Sequence, residues 1–187
     1  PAEERIPGGA KQMIEEGVLE NPNVENVMAQ HVFPDLEIGK VGFRAGMYMA
    51  STDEIYITVS GKGGHAALPE KYNSPIIASS NLIMELDNHF TKERNRPSVF
   101  AIGFVNADGS TNVIPKDVKL MGTFRAMDEQ FRAESHKIMQ KIAKNISEKY
   151  NLVIDFEIKK GYPFLKNDEM FTNLSSEFAK EYLGKGN

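Results

Sequence analysis

The chain has 187 residues, a net charge of −4, 41% apolar and 26% charged residues and no cysteine, the balance of a soluble globular chain of one to one and a half domains, with disulfides and thiolate metal ligands excluded. Charges of both signs are interspersed without a basic cluster, which argues against a nucleic-acid partner. No apolar run approaches a membrane span and the start Pro1-Ala2-Glu3-Glu4-Arg5 has no signal-peptide core, so no membrane partner is expected and the compartment expected is the cytoplasm.

Pro1 in place of an initiator methionine gives the expectation of a piece of a longer protein. The adjacent carboxylates Glu3 and Glu4 precede a short helix, Gly8 to Glu16, with Ala10, Met13 and Ile14 on one side and Gly17 as its left-handed cap. They serve either to complement the helix dipole or to divide the work of metal-assisted hydrolysis, one on a metal and one taking a proton from the attacking water. After a turn at Asn21-Pro22-Asn23, the run from Val27 to Phe33 reads as a buried strand ending at Pro34, with His31 near its C-terminal end, where α/β sheets place their chemistry. A lone histidine in such a strand is more often a packed core residue than a ligand.

From Asp53, Ile55, Ile57 and Val59 alternate with Glu54, Tyr56 and Thr58, the period of a strand with one buried face. It runs into Gly61-Lys62-Gly63-Gly64-His65-Ala66-Ala67-Leu68-Pro69, where three glycines in four positions permit a sharp turn that presents His65. The turn lacks the endings of a phosphate-binding loop, and its histidine either solvates the turn or acts from it. Ser74 caps a helix whose first position is Pro75, and Ile76, Ser80, Ile83, Met84 and Phe90 recur there at helical spacing. Val99 to Val105 is an apolar strand between Pro97 and the Asp108-Gly109 turn, and Val118 to Arg125 is another, with Val118, Leu120 and Phe124 on one face. Asp128 caps a long helix with the stripe Phe131, Ser135, Ile138, Ile142, Ile146 and Tyr150. Leu152, Ile154, Phe156 and Ile158 alternate with Asp155, Glu157 and Lys159 in a last strand.

The order β-α-β-β-α-β is the split βαβ arrangement of a ferredoxin-like sandwich, an antiparallel sheet with two helices on one face. The flanks, including a closing helix from Asp168 to Leu183 with Phe171, Leu174, Phe178 and Leu183, read as fragments of another α/β domain into which the sandwich is inserted. In that sheet Val99 to Val105 lies at an edge without a charge to blunt it, which predicts a two-fold dimer by antiparallel pairing of this strand, with the helix from Ser74 alongside.

Taken together, Pro1-Ala2-Glu3-Glu4, Gln30-His31-Val32-Phe33-Pro34, Gly61 to Ala67, Thr111-Asn112-Val113-Ile114-Pro115 and Gly122-Thr123-Phe124-Arg125 resemble the M20 metallopeptidase family. Within it they are most similar to the amidohydrolase branch of hippurate hydrolases, N-acyl-L-amino acid amidohydrolases, N-acetyldiaminopimelate deacetylases and auxin-conjugate hydrolases. The resemblance implies an α/β (α+β) chain: a ferredoxin-like βαββαβ lid and dimerisation domain over residues 46–161, inserted in an incomplete α/β metallopeptidase catalytic domain represented by residues 1–45 and 162–187. It implies hydrolysis of N-acyl amino acids, small-molecule substrates, by a homodimer with two divalent metal ions per subunit, zinc or manganese, with nickel and cobalt as other ions such ligands suit.

Carried over residue by residue, Glu3 is the general base acting on the attacking water, and Glu4 and His31 are metal ligands. His65 is the lid histidine that reaches the partner subunit's active site and stabilises the oxyanion, and Asn112 and Arg125 bind the polar end and the carboxylate of the substrate. The planar fork of Arg125 suits a carboxylate and suits equally a surface ion pair at a strand end. The family's C-G-H-D-x-H stretch and its late histidine ligand are not among these residues, so the resemblance implies an incomplete dinuclear site, with weak metal binding and no activity for this chain alone. The alternative reading is a non-catalytic ferredoxin-like dimerisation or regulatory module.

Overall fold

A computed structural model describes residues 8–92 and 96–184; Glu3 and Glu4 lie outside the described residues. In chain order the elements are α1 (Gly9–Glu15), β1 (Gly46–Met49), β2 (Asp53–Ser60), β3 (Gly64–His65), α2 (Pro75–Lys92), β4 (Ser98–Ala107), β5 (Val113–Ile114), β6 (Asp117–Ala126), α3 (Glu129–Tyr150), β7 (Val153–Lys160), β8 (Leu165–Asn167) and α4 (Glu169–Leu183). They fall into two units, a central one of Ala50–Phe164 and one built from the flanks; the boundaries drawn from sequence were 46 and 161.

The central unit carries an antiparallel sheet in the order β4-β6-β2-β7. With β2, β4, β6 and β7 as the four long strands and α2 and α3 as the crossovers, this is the ferredoxin-like sandwich. Its register is set by the alternation: Ile57 lies between Leu120 and Phe156, and Val59 between Val118 and Ile154. A slip of one residue would turn all of these side chains to the other face. They form one core with Leu82, Leu86 and Phe90 of α2 and Phe131, Met139, Ala143 and Ile146 of α3. The Asp128 side chain caps α3 by accepting from the Phe131 N–H at 2.6 Å, and Asn151, at φ 50°, ends it in the left-handed conformation.

Two expectations need correction. The inner stripe of α2 is Ala78, Ser79, Leu82, Leu86 and Phe90, while Ile76 and Met84 are 41% and 59% exposed. Phe90 already fills the sheet side by stacking on Phe100 at 5.5 Å and meeting Phe124 at 5.1 Å. Leu82, Leu86 and Phe90 recur four residues apart on the buried face of α2, while Ile76, Ile77 and Met84 leave apolar side chains exposed on the other, so apolar spacing alone does not choose the inner face. The run from Val27 to Phe33 forms no strand, and Val32 is 84% exposed. A buried strand needs hydrogen-bonded neighbours and cover on its faces, and no described strand pairs with this one.

In the flanking unit β1 pairs antiparallel with β8, Gly46 opposite Asn167 and Met49 opposite Leu165, and the Asn167 amide donates to the Arg44 carbonyl at 2.8 Å. Asp168 caps α4 by accepting from the Phe171 N–H at 2.8 Å. Met170, Leu174, Phe178 and Tyr182 make an exposed stripe along α4. No helix among the described residues is long and apolar enough to cross a membrane.

Candidate functional site

The turn after β2 is shaped by backbone crowding. A Cβ on Gly61 would stand 2.6 Å from the Asn73 carbonyl oxygen, and one on Gly63 2.7 Å from that of Ile114, so only glycine lets the strands of the turn approach this closely. β3 pairs with β5, His65 opposite Val113, and the Ala66 N–H donates to the Asn112 carbonyl at 2.9 Å. His65 and Asn112 are thereby brought side by side. The exposed His65 ring accepts at Nδ1 from the Ala67 N–H at 3.2 Å. In the neutral ring its proton therefore sits on Nε2, which makes that atom a hydrogen-bond donor. The Asn112 Oδ1 accepts from the Ser110 hydroxyl at 3.2 Å.

On its other side the turn meets Asn73 and Tyr72, neither of which the sequence analysis singled out. The Asn73 Oδ1 accepts from the Lys62 N–H, and its Nδ2 donates to the Asn151 carbonyl. The Tyr72 hydroxyl donates to the Ala66 carbonyl at 3.4 Å.

Arg125 is not part of this cluster. It lies opposite Val99 near the far end of β6, about 25 Å along the strand from Asp117. That end adjoins the point where the chain enters the central unit, since the Ser51 N–H donates to the Ala126 carbonyl at 2.8 Å. His31 lies exposed in an irregular stretch of the flanking unit, its Nδ1 2.6 Å from the Val32 carbonyl oxygen. A carbonyl only accepts, so Nδ1 donates, and the neutral ring keeps a lone pair on Nε2, the form a metal ligand needs. His31 thus fits a metal by its donor chemistry, although no group of three or more His, Asp or Glu side chains able to hold one is found among the described residues.

A second cluster escaped the sequence analysis. Asp53, buried, receives the Arg132 Nε at 2.9 Å and Nη2 at 2.5 Å, the His136 Nε2 at 2.7 Å and the Gly161 N–H at 3.2 Å. Arg132 also donates to both Glu129 oxygens at 2.9 and 3.1 Å and to the Thr52 and Gly161 carbonyls at 3.1 and 3.2 Å. Burial pushes the Asp53 carboxyl up, but the bonds from Arg132 and His136 outweigh it and hold the group well below the usual carboxylate range. Burial likewise lowers the Arg132 guanidinium, and Asp53 and Glu129 more than restore it, for a net upward shift. The sequence carried one signal of this cluster: Asp53 shares strand parity with Ile55, Ile57 and Val59, which points its side chain inward.

The peptidase dimerisation domain of the M20 family matches residues 53–151. An N-acetyl-L-cysteine deacetylase of Bacillus subtilis is 34% identical over 96% of this chain and 43% of its own length. A hippurate hydrolase of Campylobacter jejuni is 34% identical over 100% of this chain and 49% of its own length. The chain thus spans about half the length of the curated relatives it matches. The crystal structure of a dinuclear metal binding peptidase of the M20 family from Bacillus subtilis superposes with a TM-score of 0.72 at 30% identity, over 95% of this chain and 44% of that one.

Proposed function

Because the chain belongs to the M20 peptidase dimerisation-domain family, we propose that it is the lid-bearing part of a homodimeric, metal-dependent amidohydrolase that cleaves the amide bond of N-acyl amino acids. Glu4 and His31 are the ligands this chain would contribute to two divalent ions, zinc or manganese, which when bound would supply Lewis acidity and make the attacking water more acidic. Glu3 takes a proton from that water as its oxygen attacks the amide carbon, and passes it to the leaving amine nitrogen as the carbon–nitrogen bond breaks. The Nε2–H of His65 donates to the carbonyl oxygen as negative charge develops there. Asn112, beside His65, orients the polar end of the substrate, and the guanidinium of Arg125 takes its carboxylate in a bidentate pair.

The observation that carries this reading is the opposite hydrogen bonding of the two histidines. His31 gives its Nδ1 proton to a carbonyl and keeps a lone pair on Nε2, whereas His65 accepts at Nδ1 and keeps a proton on Nε2. One is prepared as a ligand and the other as a donor to an oxyanion. The distance along β6 between the His65 turn and Arg125 supports a site shared between subunits. In a two-fold dimer His65 and Asn112 serve the partner's catalytic residues, while Arg125, near the chain's point of entrance to the lid, serves its own.

The full-length enzyme, loaded with Zn²⁺ or Mn²⁺, is expected to hydrolyse N-acetyl or N-benzoyl amino acids. His65→Ala should lower kcat by about 10²–10³-fold, and Glu3→Gln should abolish turnover with metal content unchanged. Failure of the metal-loaded protein to release amino acid from any N-acyl substrate would end the proposal.

A further inference from the structure

The two-residue ladder of β3 with β5 holds only one side of the His65 turn. The other side rests on Asn73. Its backbone N–H donates to the Lys62 carbonyl at 3.1 Å. Its Oδ1 accepts from the Lys62 N–H, and its Nδ2 donates to the Asn151 carbonyl and, at 3.5 Å, to that of Tyr150. Tyr150 and Asn151 end α3, whose inner face lies in the core of the sandwich. One side chain therefore ties the turn to the C-terminal end of a helix anchored in the core. The task needs an acceptor aimed at an N–H and donors aimed at carbonyls from the same short side chain, which asparagine supplies. Aspartate would set a carboxylate against two carbonyl oxygens, and leucine would leave the Lys62 N–H unpaired. Gly61 belongs to the same device, since a Cβ there would collide with the Asn73 carbonyl oxygen at 2.6 Å.

We propose that Asn73 is a positioning residue for His65, fixing the height and direction at which the imidazole is presented to the scissile carbonyl. The inference rests on the reading that His65 donates to the oxyanion. Lys62, held by Asn73, stands three residues before the histidine, and Ala66, held by the Tyr72 hydroxyl at 3.4 Å, directly after it. Both flanks of the ring are thus set by the segment that leads into α2. An oxyanion donor acts only within about 2.7–3.1 Å of the developing charge, and a displacement of about 1 Å costs on the order of 10²-fold in rate.

The test measures kcat and KM of the full-length, metal-loaded enzyme on an N-acetyl amino acid for Asn73→Asp, Asn73→Leu, His65→Ala and the two double variants. Each Asn73 variant should lower kcat about 10–10²-fold and move KM by less than about twofold. Neither should lower kcat further once His65 is alanine. If His65→Ala keeps the parent kcat, the reading of His65 fails and takes this inference with it. If His65→Ala loses activity while Asn73→Leu keeps it, or if the Asn73 effect is undiminished in the His65→Ala background, Asn73 does not position the ring and the reading of His65 survives. Amide hydrogen exchange on the unsubstituted protein needs no variant to fold: the Lys62 N–H should be protected, and exchange at the rate of an open loop overturns the proposal.

Discussion

Arg132 is 1% exposed and the largest of the fully buried side chains among the described residues. Removing a guanidinium from water is costly and is offset only when every donor finds an acceptor. Here Nε, Nη1 and Nη2 all donate, to Asp53, to Glu129 and to the carbonyls of Thr52 and Gly161. Thr52 and Gly161 flank β2 and β7 where the chain enters and leaves the sandwich, so one side chain on α3 fastens both crossings. Arg132→Leu should cost about 3–5 kcal/mol in urea denaturation, because it leaves the buried Asp53 carboxylate without its main partner. The pH dependence follows from Asp53, whose folded-state carboxyl lies below the 3.8 of an unfolded aspartate. A depressed carboxyl contributes stability that is complete above the unfolded value and is lost as the pH falls through the folded one. The stability gap between the parent protein and Asp53→Asn should therefore be level at neutral and mildly acid pH and narrow as the pH falls below 3.8. A gap of the same size at about pH 2.5 would assign the Asp53 contribution to shape and not to charge.

The turn between β2 and α2 works as an element only if its backbones keep their close approach. Gly63→Ala places a methyl group 2.7 Å from the Ile114 carbonyl oxygen, which must part β3 from β5 and shift the histidine. Gly63 lies outside the core cluster, so the variant should lose about tenfold or more in kcat while the urea transition of the lid falls by under about 2 kcal/mol. Parent-level turnover would show that the turn tolerates the opening. The long strands and helices of the sandwich were legible in the sequence because alternation and capping were written into single residues: Ile55, Ile57 and Val59 in β2, Asp128 before α3. The inner face of α2 was not, because apolar residues lie on both of its faces: Leu82 and Leu86 are buried, while Ile76, Ile77 and Met84 are exposed. The run from Val27 to Phe33 has strand composition but no described partner strand, and composition alone does not build a sheet. Of the candidate site, His31, His65, Asn112 and Arg125 were singled out by motifs. Asn73 was not, since its role depends on Lys62 and Asn151 meeting in space.

At the scale of the whole molecule, the uncharged strand β4 lies at the sheet edge, with Ile76, Ile77 and Met84 of the neighbouring α2 exposed. Unpaired edge backbone beside apolar side chains is what a second lid would cover. The irregularity at Gly103, between Ile102 and Phe104, twists the edge and divides it into two pairing stretches. Phe100 and Ile102 pack against the core, so lysine there would disturb the sandwich itself. Val99 and Val105, 52% and 59% exposed, are the positions that probe the joint. Val99→Lys combined with Val105→Lys should sediment as a monomer with the lid still folded, and should be inactive if the site is shared. Complementation decides the sharing itself. His65→Ala and Arg125→Ala homodimers are each expected to be impaired. In a mixed dimer, the catalytic residues of the His65→Ala subunit keep their own Arg125 and receive an intact His65 from the Arg125→Ala partner. One site in two is then complete, so random pairing on co-expression should restore about a quarter of parent activity. If both residues came from the same lid, every site would lack one of them and mixing would restore nothing. Absence of recovery in dimers shown to be mixed would therefore refute the division of His65 and Arg125 between two active sites.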